Sequence, residues 1–320
     1  MVKSIGVLTS GGDAPGMNAA VRAVVRTAIA KGLKVYGIER GYNGLINGDI
    51  NELNERDVSD IIHLGGTVLY TARCPEFRYR EGVLKAKEKC IEAGLDGIVV
   101  IGGDGSFRGA GDLSAEGIPC VGIPGTIDND VACTDYTIGY DTANNTAVSM
   151  IDKLRDTSES HDRCSVVEVM GRNAGYIAVN AGVASGAIYT LVPEVPYSLD
   201  EICEKMLKAR ELGKMHFVVV VSEGCEDSIS IAKTIQEKTG IDTRATIFGH
   251  VQRGGSPTVM DRVVATKMGV HAVEMLAKGI GNRVVAMKDN KIVDYDIQEA
   301  LAMKKQFDTE LYEIANRLSF

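Results

Sequence analysis

The chain has 320 residues, of which 45% are hydrophobic and 24% charged, and it carries a formal net charge of -8 at pH 7. These values are typical of a globular protein and exclude collagen-like and strongly disordered chains. The negative charge argues against a broad nucleic-acid surface. Because single hydrophobic cores stop growing near ~250 to 300 residues, we expect one large or two medium domains.

No apolar run approaches the roughly 18 residues that a membrane span needs, so we predict a cytoplasmic protein with no membrane partner. Seven cysteines are scattered along the chain without a C-x-x-C pair, at positions 74, 90, 120, 133, 164, 203 and 225. Reduced thiols are the simplest interpretation, and the pattern argues against a zinc site.

Strands and helices alternate in the predicted secondary structure. Near-continuous apolar runs predict strands at 3–9, 33–39, 96–102, 118–124, 164–170, 187–193, 216–222 and 283–288. Helical patterns lie between them, including 17–32, 82–94, 142–157, 199–213 and 262–279. Strands that are apolar on both faces indicate a parallel sheet, so the chain is predicted to be α/β and doubly wound.

Glycine stands beside a charged or hydroxyl side chain in six loops that follow strand candidates. The loops read "SGGDAPG", "GDGS", "GTIDND", "GRN", "EG" and "GHVQRGG" in chain order, the last of them after the segment "RATIF". Ligands of open α/β sheets bind outside the carboxyl ends of the strands. The six loops therefore predict one binding edge.

Two glycine pairs, Gly11–Gly12 and Gly102–Gly103, stand between a strand and a helix. Glycine lets backbone N–H groups approach a phosphate at a helix N-terminus, where the dipole favours negative charge. Neither loop is a Walker A motif, and Arg108 stands where G-x-G-x-x-G would need its third glycine. The pattern favours phosphate binding and argues against a dinucleotide oxidoreductase.

Carboxylates follow two neighbouring strand candidates. Asp104 and Asp130 suit Mg²⁺, which takes one or two carboxylates and keeps phosphate and water oxygens. Asp128 points the same way as Asp130 in an extended segment, so one can be a ligand and the other a general base. Helix capping is the alternative for Asp104, and also for Asp13.

Isolated cations complete the set of polar residues, at Arg163, Arg172, Arg244, His250 and Arg253. Each could bind a small anion, and each has the alternative of a solvated surface residue. Glu223 could accept hydrogen bonds from sugar hydroxyls or pair with a neighbouring Lys or Arg.

Five ordered motifs carry a specific resemblance across nearly the whole chain: "LTSGGDAPGMNAAVR", "VVIGGDGS", "PGTIDND", "VEVMGR" and "GHVQRGGSP". The sequence resembles the bacterial-type ATP-dependent 6-phosphofructokinases. This resemblance implies transfer of the γ-phosphoryl of MgATP to the 1-hydroxyl of fructose 6-phosphate, giving fructose 1,6-bisphosphate and ADP, the committed step of glycolysis.

The family fold implies two Rossmann-like, three-layer domains with the active site in the cleft between them. Residues 1–138 and about 252–303 would form the larger, ATP-binding domain. Residues from about 139 to 251 and 304–320 would form the smaller domain, which binds fructose 6-phosphate.

Site roles follow from the resemblance residue by residue. Asp128 would take the hydroxyl proton, Thr126 and Arg172 would steady the transferring phosphoryl, and Asp104 and Asp130 would serve Mg²⁺. The positions that match the family's ATP contacts are Gly12, Arg73, Cys74, Gly103, Asp104, Gly105 and Ser106. Those that match its substrate contacts are Thr126, Ile127, Asp128, Arg163, Met170, Gly171, Arg172, Glu223, Arg244, His250, Val251, Gln252 and Arg253.

The phosphoryl donor is expected to be ATP. Pyrophosphate users of the family carry an Asp and a Lys where this chain has Gly105 and Gly125. The alternatives are a pyrophosphate-dependent enzyme, a tagatose 6-phosphate kinase, and a catalytically silent nucleotide sensor on the same fold.

Similar enzymes are homotetramers, in which a neighbouring chain supplies the residues that match Arg163 and Arg244. Their effector, ADP or phosphoenolpyruvate, binds positions that match Arg22, Arg26, Arg155, Lys214 and His216. A solvated helix face is the alternative for Arg22 and Arg26. We expect a weakened effector response, because the chain departs from the family pattern at Glu55, Ile188, Leu212 and Met215.

Overall fold

The computed structural model describes residues 2–319 and divides the chain into two compact units. The first unit runs as far as Ile127 and also contains Val131–Thr142 and Arg253–Lys305. The second contains Asp128–Asp130, Ala143–Gln252 and the chain from Gln306 onward. The short segment that holds Asp128 thus belongs to the second unit, although the chain on both sides of it belongs to the first.

Eleven strands and eleven α-helices are described. The strands are β1 (Ser4–Thr9), β2 (Lys34–Ile38), β3 (Ile50–Leu53), β4 (Ile98–Gly102), β5 (Cys120–Pro124), β6 (Cys164–Val169), β7 (Tyr189–Leu191), β8 (Phe217–Ser222), β9 (Thr243–Ile247), β10 (Arg283–Lys288) and β11 (Lys291–Asp296). The helices are α1 (Met17–Ala30), α2 (Gly41–Asn47), α3 (Arg80–Glu92), α4 (Asp104–Ala115), α5 (Tyr140–Glu159), α6 (Tyr176–Ser185), α7 (Leu199–Glu211), α8 (Ser228–Thr239), α9 (Val259–Ala277), α10 (Ile297–Ala302) and α11 (Thr309–Arg317). Two short 3₁₀ helices span Pro75–Arg78 and Gly249–Arg253.

The first unit has a seven-stranded sheet in the order β11-β10-β5-β4-β1-β2-β3. Its strands run parallel except at the two edges, where β2 pairs with β3 and β10 with β11 in antiparallel fashion. Every residue of β1, β4 and β5 is buried, as expected for strands covered on both faces. The carboxyl ends of these three strands therefore lie side by side and present their loops at one edge.

The second unit has a four-stranded sheet in the order β7-β8-β6-β9, in which all pairs are parallel. Alternate residues of β8, beginning with Phe217, pack into a core with apolar residues of α7 and α8, among them Met206 and Ile235. Each such fully buried side chain stabilises the unit by about 1.5 to 3 kcal/mol. The ends of β6 and β8 are neighbours because these strands pair along their length.

The predicted fold class is confirmed, with parallel-rich sheets in both units. The eight predicted strands and five predicted helices are present, with ends shifted by a few residues. Strands β3, β9 and β11 were not predicted as strands. All three are edge strands whose residues, apart from Thr243, are only half-buried or exposed, so they lack the continuous apolar run that marked the others.

Within residues 2–319, no helix combines the length and the apolar character that crossing a membrane requires. All seven cysteines are free thiols.

Candidate active site

The loop after β1 is shaped around an arginine. A Cβ atom at Gly12 would lie 2.5 Å from Nη1 of Arg253, and this guanidinium donates to the carbonyl of Asp13 at 3.1 Å. A side chain at Gly12 would have to displace the flexible end of Arg253 from this position. Asp13 does not cap α1, because the N-cap is Gly16, so that alternative is wrong.

The second glycine pair lies beside this loop, since β1 and β4 pair in parallel and the amide of Ser10 donates to the carbonyl of Ile101. A Cβ at Gly102 would lie 2.5 Å from the carbonyl oxygen of Ser10, and Oγ of Ser106 donates to that same oxygen at 3.1 Å. The two glycine loops are thus held together by backbone contacts that a side chain would break.

Helix α4 begins at Asp104, and the N-cap position is occupied by Gly103. Asp104 is thus the first residue of the helix and not its N-cap. The capping alternative for Asp104 is therefore wrong. A Cβ at Gly105 would meet nothing within 4 Å, so this turn faces open space. A helix N-terminus with free space in front of it suits a phosphate group.

The remaining predicted nucleotide contacts precede the 3₁₀ helix Pro75–Arg78. Arg73 is exposed and Cys74 is half-buried. Burial raises the pKa of the Cys74 thiol above its ordinary value, although backbone hydrogen bonds partly oppose the rise. Sequence reasoning missed Tyr42, whose hydroxyl donates to the carbonyl of Ser106 at 2.5 Å and whose ring stacks on Phe77.

The loop after β5 continues the same edge of the first sheet. The amide of Gly125 donates to the carbonyl of Gly102 at 2.9 Å, and Oγ1 of Thr137 donates to the carbonyl of Thr126 at 2.6 Å. The side chain of Ile127 is fully buried, so this residue can offer a ligand only its backbone. Asp130 is half-buried.

In the second unit, Asp128 is buried to 1% exposure and lies against Arg172. Nε of Arg172 is 3.3 Å from Oδ2 of Asp128, while the arginine side chain is 61% exposed. A buried carboxylate is thus paired with a cation that can leave it for solvent or for a ligand. The sequence assigned both residues to the reaction but did not predict this contact.

Two side chains hold the turn after β6. Oε1 of Glu223 accepts from the amides of Gly171 and Arg172, at 3.1 and 2.6 Å. Oε1 of Gln252 accepts from the amide of Met170 at 2.8 Å, and its Nε2 has no hydrogen-bond partner among the described residues. Glu223 therefore contacts backbone amides, and among residues 2–319 no ion pair joins it to a Lys or Arg.

Arg163 and Arg244 are joined by a carboxylate that sequence reasoning missed. Nε of Arg163 is 2.6 Å from Asp242, and Nε of Arg244 is 3.1 Å from it. The hydrogen bond from Arg163 holds the pKa of Asp242 below its ordinary value. The spacing of Asp242, directly before β9, and Arg244 within it was an available signal, because residues two apart in an extended segment point to the same side.

The other predicted sugar-phosphate residues stand on the Gly249–Arg253 helix. His250 and Val251 are exposed, and Gln252 is fully buried. Arg253 belongs to the first unit, where it contacts the loop of Gly12 and Asp13.

Two of the predicted effector-binding cations of the second unit already donate hydrogen bonds to backbone carbonyls. Arg155 donates to the carbonyl of Ser185, and Nζ of Lys214 donates to the carbonyl of Ser319 at 3.3 Å. Burial lowers the pKa of Lys214, and the nearby Arg155 lowers it further. His216 is half-buried.

The first-unit cations lie on α1, where Arg22 is half-buried and Arg26 is exposed. Three of the departures from the family pattern, Glu55, Leu212 and Met215, are exposed, whereas Ile188 lies in the core of the second unit at 1% exposure. Ile188 cannot replace a polar contact to an effector.

Parallel α/β units with glycine loops, carboxylates and arginines at the strand ends define a class of enzymes that bind nucleotides and phosphorylated substrates. The comparisons identify the family within this class. The phosphofructokinase family model matches residues 4–276, and the chain therefore belongs to the phosphofructokinase family, as its motifs predicted.

Similar proteins support this assignment over the whole chain. The sequence is 59% identical over 318 residues to ATP-dependent 6-phosphofructokinase from Clostridium botulinum (strain Hall), covering 99% of this chain and 100% of that protein. Among solved structures, phosphofructokinase from Saccharomyces cerevisiae matches 99% of this chain with 37% identity and a TM-score of 0.88. Pichia pastoris phosphofructokinase in the T-state matches 100% with 39% identity and a TM-score of 0.90. This chain covers only 46% and 37% of the two yeast chains.

Proposed function

We propose that this chain is an ATP-dependent 6-phosphofructokinase. It transfers the γ-phosphoryl of MgATP to the 1-hydroxyl of fructose 6-phosphate and releases ADP and fructose 1,6-bisphosphate, the committed step of glycolysis. The observation that carries the proposal is the pairing of buried Asp128 with exposed Arg172 within the second unit. The name of its 59% identical relative supports the same activity.

Asp128 is the general base of the proposed reaction. Its carboxylate is almost fully removed from water, so little hydration has to be lost when it accepts the proton of the 1-hydroxyl. Arg172 contributes in two positions. It neutralises Asp128 in the absence of substrate, and its exposed side chain can turn to the transferring phosphoryl, where charge neutralisation accounts for most of the catalysis.

The loops of the first unit bind the nucleotide. Gly12, Gly103 and Gly105 let the phosphates approach the backbone, and the N-terminus of α4 favours their negative charge. Ser106 is held by the carbonyl of Ser10 and keeps the two loops in register. Arg73 and Cys74 border the same site in this proposal, and Thr126 steadies the phosphoryl group.

The residues present fit Mg²⁺. Asp104 follows β4 and Asp130 follows β5, and both offer the carboxylate oxygens that this ion prefers. Residues 2–319 contain no group of three or more His, Cys, Asp or Glu side chains able to hold a metal by themselves, and Mg²⁺ needs only one or two carboxylates beside phosphate oxygens. When bound, the ion would neutralise charge on the phosphate oxygens of ATP.

Fructose 6-phosphate is bound through its phosphate and its hydroxyls. Arg163, Arg244, His250 and Arg253 are the proposed phosphate contacts. The sharing of Asp242 by Arg163 and Arg244 supports a joint role for these two, because one carboxylate holds both guanidinium groups. Arg163 lies directly before β6, and Arg244 lies on the adjacent strand β9. In the proposed homotetramer these two arginines complete the site of a neighbouring chain.

ATP is the proposed donor. Gly105 leaves open space where a pyrophosphate user would place an Asp, and a Cβ at Gly125 would lie 3.0 Å from Ile101. A larger side chain at Gly125 would therefore need its neighbours to move. A silent nucleotide sensor is not favoured, because Asp128, Asp104 and Arg172 are all retained.

A coupled assay with MgATP and fructose 6-phosphate tests the proposal on wild type, Asp128→Asn and Asp128→Ala. We expect both variants to lose roughly 10²- to 10⁴-fold in kcat, the usual contribution of a general base, with little change in KM. Asp135→Asn is the matched control, because Asp135 lies on the same loop but binds Lys288. Parallel assays with pyrophosphate and with tagatose 6-phosphate test the alternatives. An inactive wild type, or an Asp128 variant with full activity, would falsify the proposal.

The effector response is proposed to be weak. Buried Ile188 and exposed Leu212 and Met215 remove polar contacts, and Lys214 is already bonded to the chain's own backbone. Each lost charge-assisted hydrogen bond to a phosphate costs on the order of 1 to 3 kcal/mol. We expect phosphoenolpyruvate and ADP at millimolar levels to change the half-saturating concentration of fructose 6-phosphate less than twofold. A several-fold shift would contradict this.

A further inference from the structure

In the turn after β6, the first three backbone N–H groups all donate hydrogen bonds to side chains. The amide of Met170 donates to Gln252, and those of Gly171 and Arg172 both donate to one oxygen of Glu223. Successive backbone N–H groups of this kind form a concave nest that suits an anion. Here the anion is a carboxylate of the protein itself.

This turn has a backbone shape that side chains rarely adopt. Gly171 has φ of +142° and Arg172 has φ of +54°. A Cβ at Gly171 would lie 2.4 Å from the carbonyl oxygen of Ala174, so the glycine cannot be replaced without movement. A left-handed arginine persists only where its surroundings impose that conformation.

Glu223 is placed to impose it. Strands β6 and β8 pair in parallel as far as Val169 and Ser222, and the amide of Glu223 then donates to the carbonyl of Val169 at 2.9 Å. The residue after β8 therefore lies beside the turn that follows β6. The 2.6 Å hydrogen bond from the amide of Arg172 is short, as expected for a charged acceptor.

We propose that Glu223 is a positioning residue. Its carboxylate holds the Gly171–Arg172 turn in the left-handed conformation from which the guanidinium of Arg172 reaches Asp128. The catalytic consequence rests on the proposed function, whereas the hold on the turn does not.

Kinetics separate positioning from substrate binding. If Glu223 positions Arg172, Glu223→Ala lowers kcat by roughly tenfold to 100-fold, the cost of misplacing a catalytic group by about 1 Å. The double variant Glu223→Ala/Arg172→Ala is then no slower than Arg172→Ala alone, because the two residues act as one unit. Glu223→Gln keeps a carbonyl acceptor for both amides and recovers most of the lost kcat. Glu226→Ala, on the same loop, is the matched control.

A purely substrate-binding Glu223 gives a different result. Its loss would raise KM for fructose 6-phosphate at unchanged kcat, and its effect would multiply with that of Arg172→Ala. Either outcome overturns the proposal.

Amide hydrogen exchange measures, without substrate, how strongly Glu223 protects the amides of the Gly171–Arg172 turn. The peptide that contains the amides of Gly171 and Arg172 is expected to exchange faster in Glu223→Ala than in wild type, to be restored by Glu223→Gln and to be unchanged in Glu226→Ala. Unchanged exchange in Glu223→Ala overturns the positioning role. If the wild type fails to phosphorylate fructose 6-phosphate, the proposed function fails, and the exchange experiment still decides the role of Glu223.

Discussion

Cys74 illustrates how the environment of a single side chain changes its chemistry. The thiol stands directly before the Pro75–Arg78 helix and is half-buried, and burial is the largest cause of its raised pKa. A raised thiol pKa leaves less thiolate at neutral pH, and the thiolate is the reactive form. Its place next to the proposed nucleotide site therefore does not make Cys74 a reactive residue.

We expect Cys74 to react with iodoacetamide more slowly than glutathione at pH 7.5, and the rate to rise as pH increases toward the raised pKa. Cys225 is the internal comparison. It is also half-buried, but burial raises its pKa to about 12, so it is expected to react more slowly still. Mass spectrometry of the two peptides over time measures both rates. A Cys74 rate above that of glutathione would contradict the expected order.

At the scale of elements, Asp261 in the first turn of α9 organises the segment that leads into α5. Its carboxylate accepts from the Tyr136 hydroxyl at 2.5 Å, the Gly139 amide at 2.6 Å, the Thr142 amide at 2.9 Å and the Thr142 hydroxyl. Burial raises the pKa of Asp261, and these hydrogen bonds oppose the rise. One buried side chain thus fixes the whole segment.

That segment supports the candidate active site. The amide of Ile138 donates to the carbonyl of Pro124 at 2.9 Å, and Thr137 holds the carbonyl of Thr126. The route from α9 to the loop after β5 consists entirely of hydrogen bonds within the first unit. Asp261 therefore acts on the site through the backbone of the loop.

Replacement of Asp261 by Asn is expected to destabilise the protein. The amide group of Asn must face at least one backbone N–H, and a buried unsatisfied donor costs about 1 to 3 kcal/mol. Urea unfolding followed by circular dichroism measures the change. Asp308→Asn is the matched control, because Asp308 caps α11 by accepting from the amide of Leu311 and Asn caps equally well. Equal stability of Asp261→Asn and wild type would show that the four contacts contribute little.

At the scale of the whole molecule, the proposed homotetramer makes the site a joint property of several chains. Arg163 and Arg244 already share Asp242 within one chain, so they can be presented together to a neighbour. Closed symmetric assemblies repeat the same contact in every copy. Each chain would then supply this arginine pair to a neighbour and receive one in return.

Mixing two inactive variants tests this arrangement. After dissociation and reassembly together, Asp128→Ala and Arg163→Ala are expected to regain roughly a quarter of the wild-type sites, because half of random pairs are mixed and each mixed pair holds one intact site of two. Activity and light scattering of the mixture measure the result, with each variant reassembled alone as the control. A monomer by light scattering, or no recovery in mixed tetramers, would contradict shared sites.

Local sequence pattern was sufficient to predict much of the fold and the family. Buried parallel strands have to be apolar on both faces, so β1, β4 and β5 were visible as continuous runs, and glycine loops at strand ends are required wherever backbone must approach a phosphate. The family assignment made from the motifs is confirmed. The edge strands β3, β9 and β11 were not predicted, because half-buried strands need no such run.

Contacts between residues distant in sequence were decided only by the tertiary structure. Thr258-x-x-Asp261 has the pattern of a capping box, and the Thr258 hydroxyl does accept from the amide of Asp261. The carboxylate of Asp261, however, binds the Tyr136–Thr142 segment. Glu223 was assigned to the substrate, and only the parallel pairing of β6 and β8 places it under the amides of Gly171 and Arg172. The sequence determined which chemical groups stand at the strand ends, because that depends on local pattern. Which group holds which depends on strand order and backbone conformation, and these arise only when the chain has folded.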